Sequence, residues 1–239
     1  LREAVADINT RFGDAEFVIV TGDLAHRGEP DAYTLLRTIL RDLKIPVHLG
    51  IGNHDDRALF RAAFPDTPVI DGGYVQYALD VEGARLLCVD SLSDIPDDHG
   101  GQLCETRLAW LQDQISAAPA DRALILACHH PPFDLGMPYL DAVRLMDDEA
   151  LFEVLTPRKP DMMLIGHVHR PVSGVWRGIP FHIQRAVNHQ VGLQFEKTDA
   201  VLFTNEPGDI GLVRVSGDGV QVFTHVGHTR FGEFGAPTD

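Results

Sequence analysis

Cysteine is scarce in this 239-residue chain, and Cys88, Cys104 and Cys128 form an odd set with no paired spacing. That excludes a disulfide framework and a Cys-rich zinc module, and leaves the role of small buried apolar residues. Long hydrophobic runs are also missing. No apolar stretch approaches the roughly 20 residues that cross a bilayer, and no leader sequence is visible, so a cytoplasmic protein with no membrane partner is expected. Cations are few: 20 Lys and Arg face 35 Asp and Glu, a formal charge of −15. Binding a nucleic-acid polymer needs cations that neutralise phosphates, so this surface suits metal ions and small substrates rather than DNA or RNA. Internal repeats and low-complexity tracts are absent.

What is present is an ordinary apolar fraction, 44%, and twelve histidines whose placement matters more than their number. The length allows one large α/β domain. Leu1, Ala4, Val5, Ile8 and Phe12 recur at helical spacing, and Gly13 ends the segment. Residues 17–20 read as a buried strand entering Gly22-Asp23. Pro30 opens a helix running to Leu43, and residues 47–51 form a strand entering Gly52-Asn53-His54-Asp55. This alternation predicts a parallel α/β sheet. The middle predicts an antiparallel pair, 74–80 and 84–89, joined at Glu82-Gly83. A polar loop over 91–101 and a helix carrying Leu108, Trp110, Leu111 and Ile115 follow. Strand 123–128 ends at His129-His130-Pro131-Pro132, and strand 162–165, after a helix over 147–155, ends at Gly166-His167-Val168-His169. Beyond Val172 only short strand-like stretches remain. The expected organisation is one domain over 1–195, with 196–239 a strand-rich extension packed on it.

Four turns share one design: a buried strand ends, and metal-type ligands follow at once. They are Asp23, Asn53 with His54, His129 with His130, and His167 with His169. Each alone has an ordinary explanation, since Asp caps turns and His-Pro segments stiffen loops. All four at successive strand ends is another matter, because the carboxyl ends of parallel strands lie together where ligands bind. Imidazole, carboxylate and amide oxygen without thiolate suit Mn, Fe, Zn or Co. A carboxylate can bridge two such ions.

The order Gly22-Asp23, Gly52-Asn53-His54-Asp55, His129, Gly166-His167-Val168-His169 resembles the motif series of calcineurin-like metallophosphoesterases. Thr21-Gly22-Asp23-Leu24, Leu108-Ala109-Trp110-Leu111, His129-His130-Pro131-Pro132-Phe133 and Asn188-His189-Gln190 are similar to strings of its bacterial branch of class III cyclic-nucleotide phosphodiesterases and glycerophosphodiesterases. The resemblance covers the chain to about residue 195. It implies a four-layer α/β/β/α sandwich with mixed sheets and two divalent metal ions. Asp23 would bridge them, Asn53, His129 and His167 would complete one site, and His169 would bind the other ion. His54 would contact the phosphate and help the leaving oxygen depart, Asp55 would orient His54, and His189 would reach the substrate along with Asn53. A metal-bound hydroxide would attack the phosphorus of a cyclic nucleotide or glycerophosphodiester. His130 is expected to support its loop, residues 94–98 to be solvated, and the protein to form a homodimer or higher homo-oligomer.

One departure matters. The family carries an Asp-x-His on a first strand before the helix that here begins near Leu1, whereas the only Asp-x-His present is Asp97-Asp98-His99, in the middle loop. The first strand is thus expected to be missing from the sequence as given, leaving an open slot beside residues 17–20, one well-held ion, and weak or no activity. His99 remains a candidate pocket residue. Competing functions are a non-catalytic interaction module on the same fold, and a phosphomonoesterase or nucleotide pyrophosphatase.

Overall fold

The computed structural model describes residues 1–197 and 201–226. Helix α1 (Arg2–Arg11) buries Val5 and Ile8 and leads into β1 (Val18–Thr21). Pro30 sits in the first turn of α2 (Pro30–Leu40), where its missing N–H has no helical partner to lose. Tyr33, Leu36, Ile39 and Leu40 form its buried stripe. The helix ends at Leu40 rather than Leu43, because Asp42 and Leu43 bond back three residues, to Ile39 and Leu40. β2 (Val47–Gly50) pairs with β1 in parallel, Thr21 level with Gly50. Next comes α3 (Arg57–Ala63), whose Asp56 cap accepts from the Leu59 N–H at 2.8 Å.

β3 (Tyr77–Val81) and β4 (Ala84–Val89) form the expected hairpin through Glu82-Gly83, with Gly83 at a φ of 74°. α4 (Glu105–Ser116), β5 (Ala123–Cys128), the short α5 (Pro138–Asp141), α6 (Asp148–Leu155) and β6 (Met162–Ile165) follow. β7 (Val172–Trp176) then turns back on β8 (Ile179–Ile183). Together they make a six-stranded sheet in the order β3-β4-β5-β6-β8-β7. The four inner strands run parallel and each edge strand antiparallel, so the sheet is mixed.

Alternate residues of the inner strands feed two different cores. Leu87, Val89, Leu124, Leu126, Met163 and Ile165 meet Leu111 and Ile115 of α4 and Leu151 and Leu155 of α6. Leu86, Cys88, Ile125, Ala127 and Leu164 face the other way, toward Leu49 of β2 and the α2 stripe beyond it. The result is the α/β/β/α layering that the resemblance implies. Because both faces are buried, these strands read as continuous apolar runs. Trp110 is half-buried against the first core, and the three cysteines are free thiols.

The rest of the chain is β9 (Gln190–Val191), β10 (Phe203–Thr204), β11 (Asp209–Ser216) and β12 (Gly219–Val226). The β11–β12 hairpin packs Val213, Val215, Val220 and Val222 on the second core, and His225 pairs with Asp7 of α1 at 2.7 Å. Of the extension expected over 196–239, residues 198–200 and 227–239 lie outside the described residues. Among the described residues β1 pairs with β2 alone, and residues 17–23 line a cleft of about 1870 Å³ shared with β11 and the strand ends. No helix among them is long and apolar enough to cross a membrane.

Candidate metal centre

The four ligand-bearing turns do meet, but across two sheets rather than at one edge. Asp23 and Asn53 follow β1 and β2, whereas His129 and His167 follow β5 and β6. Thr21 lies level with Gly50 in one sheet and Cys128 with Ile165 in the other, so all four strands end at a common rim. Close approach is written into the glycines. A Cβ on Gly22 would stand 2.5 Å from His129 Nδ1, and one on Gly52 would run into Asp23 Oδ1 and the His129 ring. Asp23, His167 and His169 all hold left-handed φ angles of 55°, 63° and 52°, conformations that Asp and His tolerate better than most side chains.

His129 is the hub. It is 2% exposed, and its Nδ1–H donates to the Thr21 carbonyl at 2.8 Å. Its Nε2 then faces Asn53 Oδ1 at 3.2 Å and Asp23 Oδ2 at 3.3 Å. A bare nitrogen lone pair pointing at two oxygens is repulsive, so this spot calls for a proton or a metal cation. Asn53 Oδ1 also accepts from His167 Nδ1 at 3.0 Å, and His167 Nε2 is buried with no partner. The residues therefore fit a divalent ion of the nitrogen- and oxygen-loving kind. The electrostatics express the same demand for positive charge. Burial alone would raise the Asp23 carboxyl, but the charge and hydrogen bond of His129 hold it well below the carboxylate range. His129 is displaced upward, Asp23 outweighing the opposing effect of burial. Burial, reinforced by the charge of His129, pushes His167 down to about 3 and leaves it a neutral ligand.

The remaining histidines divide by position. His169 lines the same cleft, is lowered by burial and by His189, and donates from Nδ1 to the His189 carbonyl at 3.0 Å. That bond leaves its Nε2 available as a ligand. His54 donates its backbone N–H to Asp23 Oδ1 at 3.0 Å and its Nδ1–H to the His26 carbonyl at 2.8 Å, and its ring borders the cleft. His130 is fully buried, bonded through Nδ1 to Ser91 Oγ at 2.8 Å, with Nε2 unpartnered. His129, His130 and His167 place ligand atoms within 4.8 Å of one another, while its bonds to Ser91 give His130 the loop-supporting place expected of it.

Asp55 does not orient His54. Its carboxylate accepts from the N–H groups of Leu24, Ala25 and Gly52 at 3.1, 3.1 and 2.9 Å, and from Tyr33 Oη at 3.0 Å. It thereby fastens the loop that carries Asp23. Burial, opposed by those backbone donors, pushes its carboxyl up to about 6. The His26 carbonyl orients His54 instead, and the two rings stack at 5.3 Å. His26 is not legible in the sequence, because a backbone carbonyl leaves no mark there. His99 arrives from the middle loop: its Nδ1 accepts from Asn53 Nδ2 at 3.2 Å, turning Oδ1 toward the histidines. Residues 94–97 are exposed, as expected, and the loop is anchored at its start. Asp94 accepts from Arg57 at 2.8 Å and Tyr74 at 2.9 Å, and the fully buried Asp90 holds Arg57 at 2.9 Å, with Arg107 donating to the Asp90 and Leu92 carbonyls.

A carboxylate, amide and imidazole cage at the meeting of two sheets defines the class of site, one that could hold a metal ion. The family model described as calcineurin-like phosphoesterase matches residues 1–171, and the chain belongs to that family. It is 46% identical, over 93% of its length, to the protein of Rhodopseudomonas palustris named "Probable cyclic nucleotide phosphodiesterase", and spans 81% of that protein. It is 31% identical over 82% of its length to a glycerophosphodiester phosphodiesterase of Enterobacter lignolyticus, spanning 71% of it. With the cAMP/cGMP dual specificity phosphodiesterase of Mycobacterium tuberculosis the values are 30% over 78%, spanning 58%. Among solved structures, a dimetal phosphatase from Danio rerio superposes with a TM-score of 0.60 at 16% identity, covering 77% of this chain and 76% of that one. At that identity the likeness concerns the fold alone.

Proposed function

We propose that this chain is a metal-dependent phosphodiesterase acting on a small diester, a cyclic nucleotide or a glycerophosphodiester. The observation that carries this is the demand for a cation among His129 Nε2, Asn53 Oδ1 and Asp23 Oδ2. Asp23, Asn53, His129 and His167 would hold one divalent ion, and His169 with Asp23 would contribute to a second; Mn, Fe, Zn or Co suits these donors. When bound, such ions polarise a phosphoryl oxygen and make water acidic near neutral pH. The protein's own groups do the rest. Asp23 stays ionised, and His167 and His169 stay neutral, as ligands must. With Nδ1 committed to His26, His54 has only Nε2 for the substrate, where it would contact the phosphate and help the leaving oxygen depart. His99 fixes Asn53, and His189 stands beside His169 at the cleft wall. The charge of −15 favours small diesters over polymers.

The test is turnover of bis(4-nitrophenyl) phosphate, cyclic AMP and glycerophosphoethanolamine with added Mn. Asp23→Ala and His54→Ala should each reduce kcat/KM by about 100-fold or more. A metal-replete intact protein inactive on all three diesters, or Asp23→Ala with full activity, overturns the proposal.

A further inference from the structure

The cleft that reaches the metal centre carries an exposed aromatic next to the histidine cluster. Phe203 is 61% exposed, a large aromatic left in solvent beside a site otherwise made of imidazoles and carboxylates. Its ring stands at 83° to that of His189, with centroids 4.9 Å apart, and His189 in turn lies 4.8 Å from the His169 ring. The two outer rings therefore make a right-angled corner, two ring contacts away from a candidate metal ligand. Phe203, His189, His169, His167 and His54 all border one continuous cleft.

Both rings are held in place. Phe203 is registered against Val191 in the β9–β10 pair, and Gly192 N–H bonds the Leu202 carbonyl at 2.6 Å. His189 sits in a short loop closed by the fully buried Gln190, whose amide accepts from Ala186 N–H at 3.2 Å and donates to the Ala186 carbonyl at 2.7 Å. An exposed aromatic held at the edge of a site by strand pairing favours a planar partner, since stacking hides apolar surface from water without asking the protein to reorganise. Aliphatic glycerol offers no such plane, whereas a nucleobase does. The two halves of the diester would then be divided, with the phosphate at the histidine cage and the base in the corner.

We infer that Phe203 and His189 form a base-binding corner that selects nucleotide diesters over glycerophosphodiesters. This rests on the phosphodiesterase proposal and goes beyond it by naming the selecting residues. The experiment compares kcat and KM for cyclic AMP and glycerophosphoethanolamine in wild type, Phe203→Ala and Phe203→Trp. Because Phe203 is exposed, its removal should leave folding intact. Stacking on an aromatic side chain is worth about 5- to 100-fold in affinity. Phe203→Ala should therefore raise KM for cyclic AMP by about tenfold while kcat holds, and shift the kcat/KM ratio toward glycerophosphoethanolamine by the same factor. Phe203→Trp should restore the wild-type ratio. An unchanged ratio, or wild type that prefers glycerophosphoethanolamine, overturns the corner while leaving the phosphodiesterase proposal standing. If wild type turns over neither diester, the earlier proposal fails, and calorimetry with AMP against glycerol 3-phosphate decides the corner: equal affinities for Phe203→Ala and wild type refute it.

Discussion

Replacing Asp55 by alanine separates two roles for this carboxylate that sequence alone does not distinguish. If Asp55 steers His54, the variant loses turnover and keeps its stability. If it fastens the Asp23 loop, stability goes first. Four donors converge on it, three backbone N–H groups and Tyr33 Oη, at 2.9 to 3.1 Å. Each bond to a charged acceptor contributes about 1.5–3 kcal/mol, and a buried donor left without one costs about 1–3 kcal/mol. Because water can enter the vacated space and the four bonds are not additive, we expect a loss of about 4 kcal/mol. In a chain of this size that is about 8–16 °C in Tm. Tyr33→Phe deletes one of the four donors and also the acceptor of the Asp56 N–H at 3.0 Å, so it should cost about 1–2 kcal/mol. The assay is urea unfolding at pH 7.5 followed by far-UV circular dichroism, with turnover measured on the same samples. Asp55→Ala within 1 kcal/mol of wild type but inactive would refute the argument, as would Tyr33→Phe costing as much as Asp55→Ala.

Other outcomes follow from the same contacts. His167 is held near 3 against an ordinary value of 6.5, so as pH falls from 6.5 toward 3 the unfolded chain takes a proton that the fold refuses, and stability drops. His130 and His169, both lowered, act with His167, whereas Asp55 and His129, both raised, act against it; unfolding midpoints of chelator-treated His167→Asn should therefore fall less between pH 6.5 and 4 than those of wild type. Asp90→Ala should cost about 3–5 kcal/mol in chemical unfolding, because it takes the two-oxygen partner from Arg57 and the acceptor from the Val75 and Leu92 N–H groups, while Asp94→Ala, at a 43% exposed side chain, should cost about 1 kcal/mol or less. Manganese at 100 times its dissociation constant should raise Tm by about 5–10 °C. Gly52→Ala, whose Cβ invades the cage, should abolish that shift in thermal melts.

Much of the fold could be read from periodicity because its central strands are buried on both faces, as β4, β5 and β6 are. Short or edge elements were not legible. α3 has seven residues and one buried side chain, Phe60, too few for a helical stripe, although Asp56 three residues before Leu59 was a usable capping signal. β7 is an edge strand with three of its five residues exposed. Asp23, Asn53, His129 and His167 stood out because each follows directly on an apolar run. His99, named as a pocket candidate, does border the cleft, but its bond to Asn53 and the Asp90–Arg57 pair were not legible, since loops bring together residues 46 and 33 positions apart with no local pattern. The error over Asp55 has the same origin. Adjacency to His54 suggested a partner, but the backbone turns the two side chains to opposite tasks.

The left-handed angles at Asp23, His167 and His169 set durability against chemistry. At each, glycine would relax a backbone that costs an L-residue about 1 kcal/mol. A selection scored only on expression or heat resistance would thus erode the metal cage one neutral-looking step at a time. Thermostabilised descendants of this chain should be screened for retained metal from the first round.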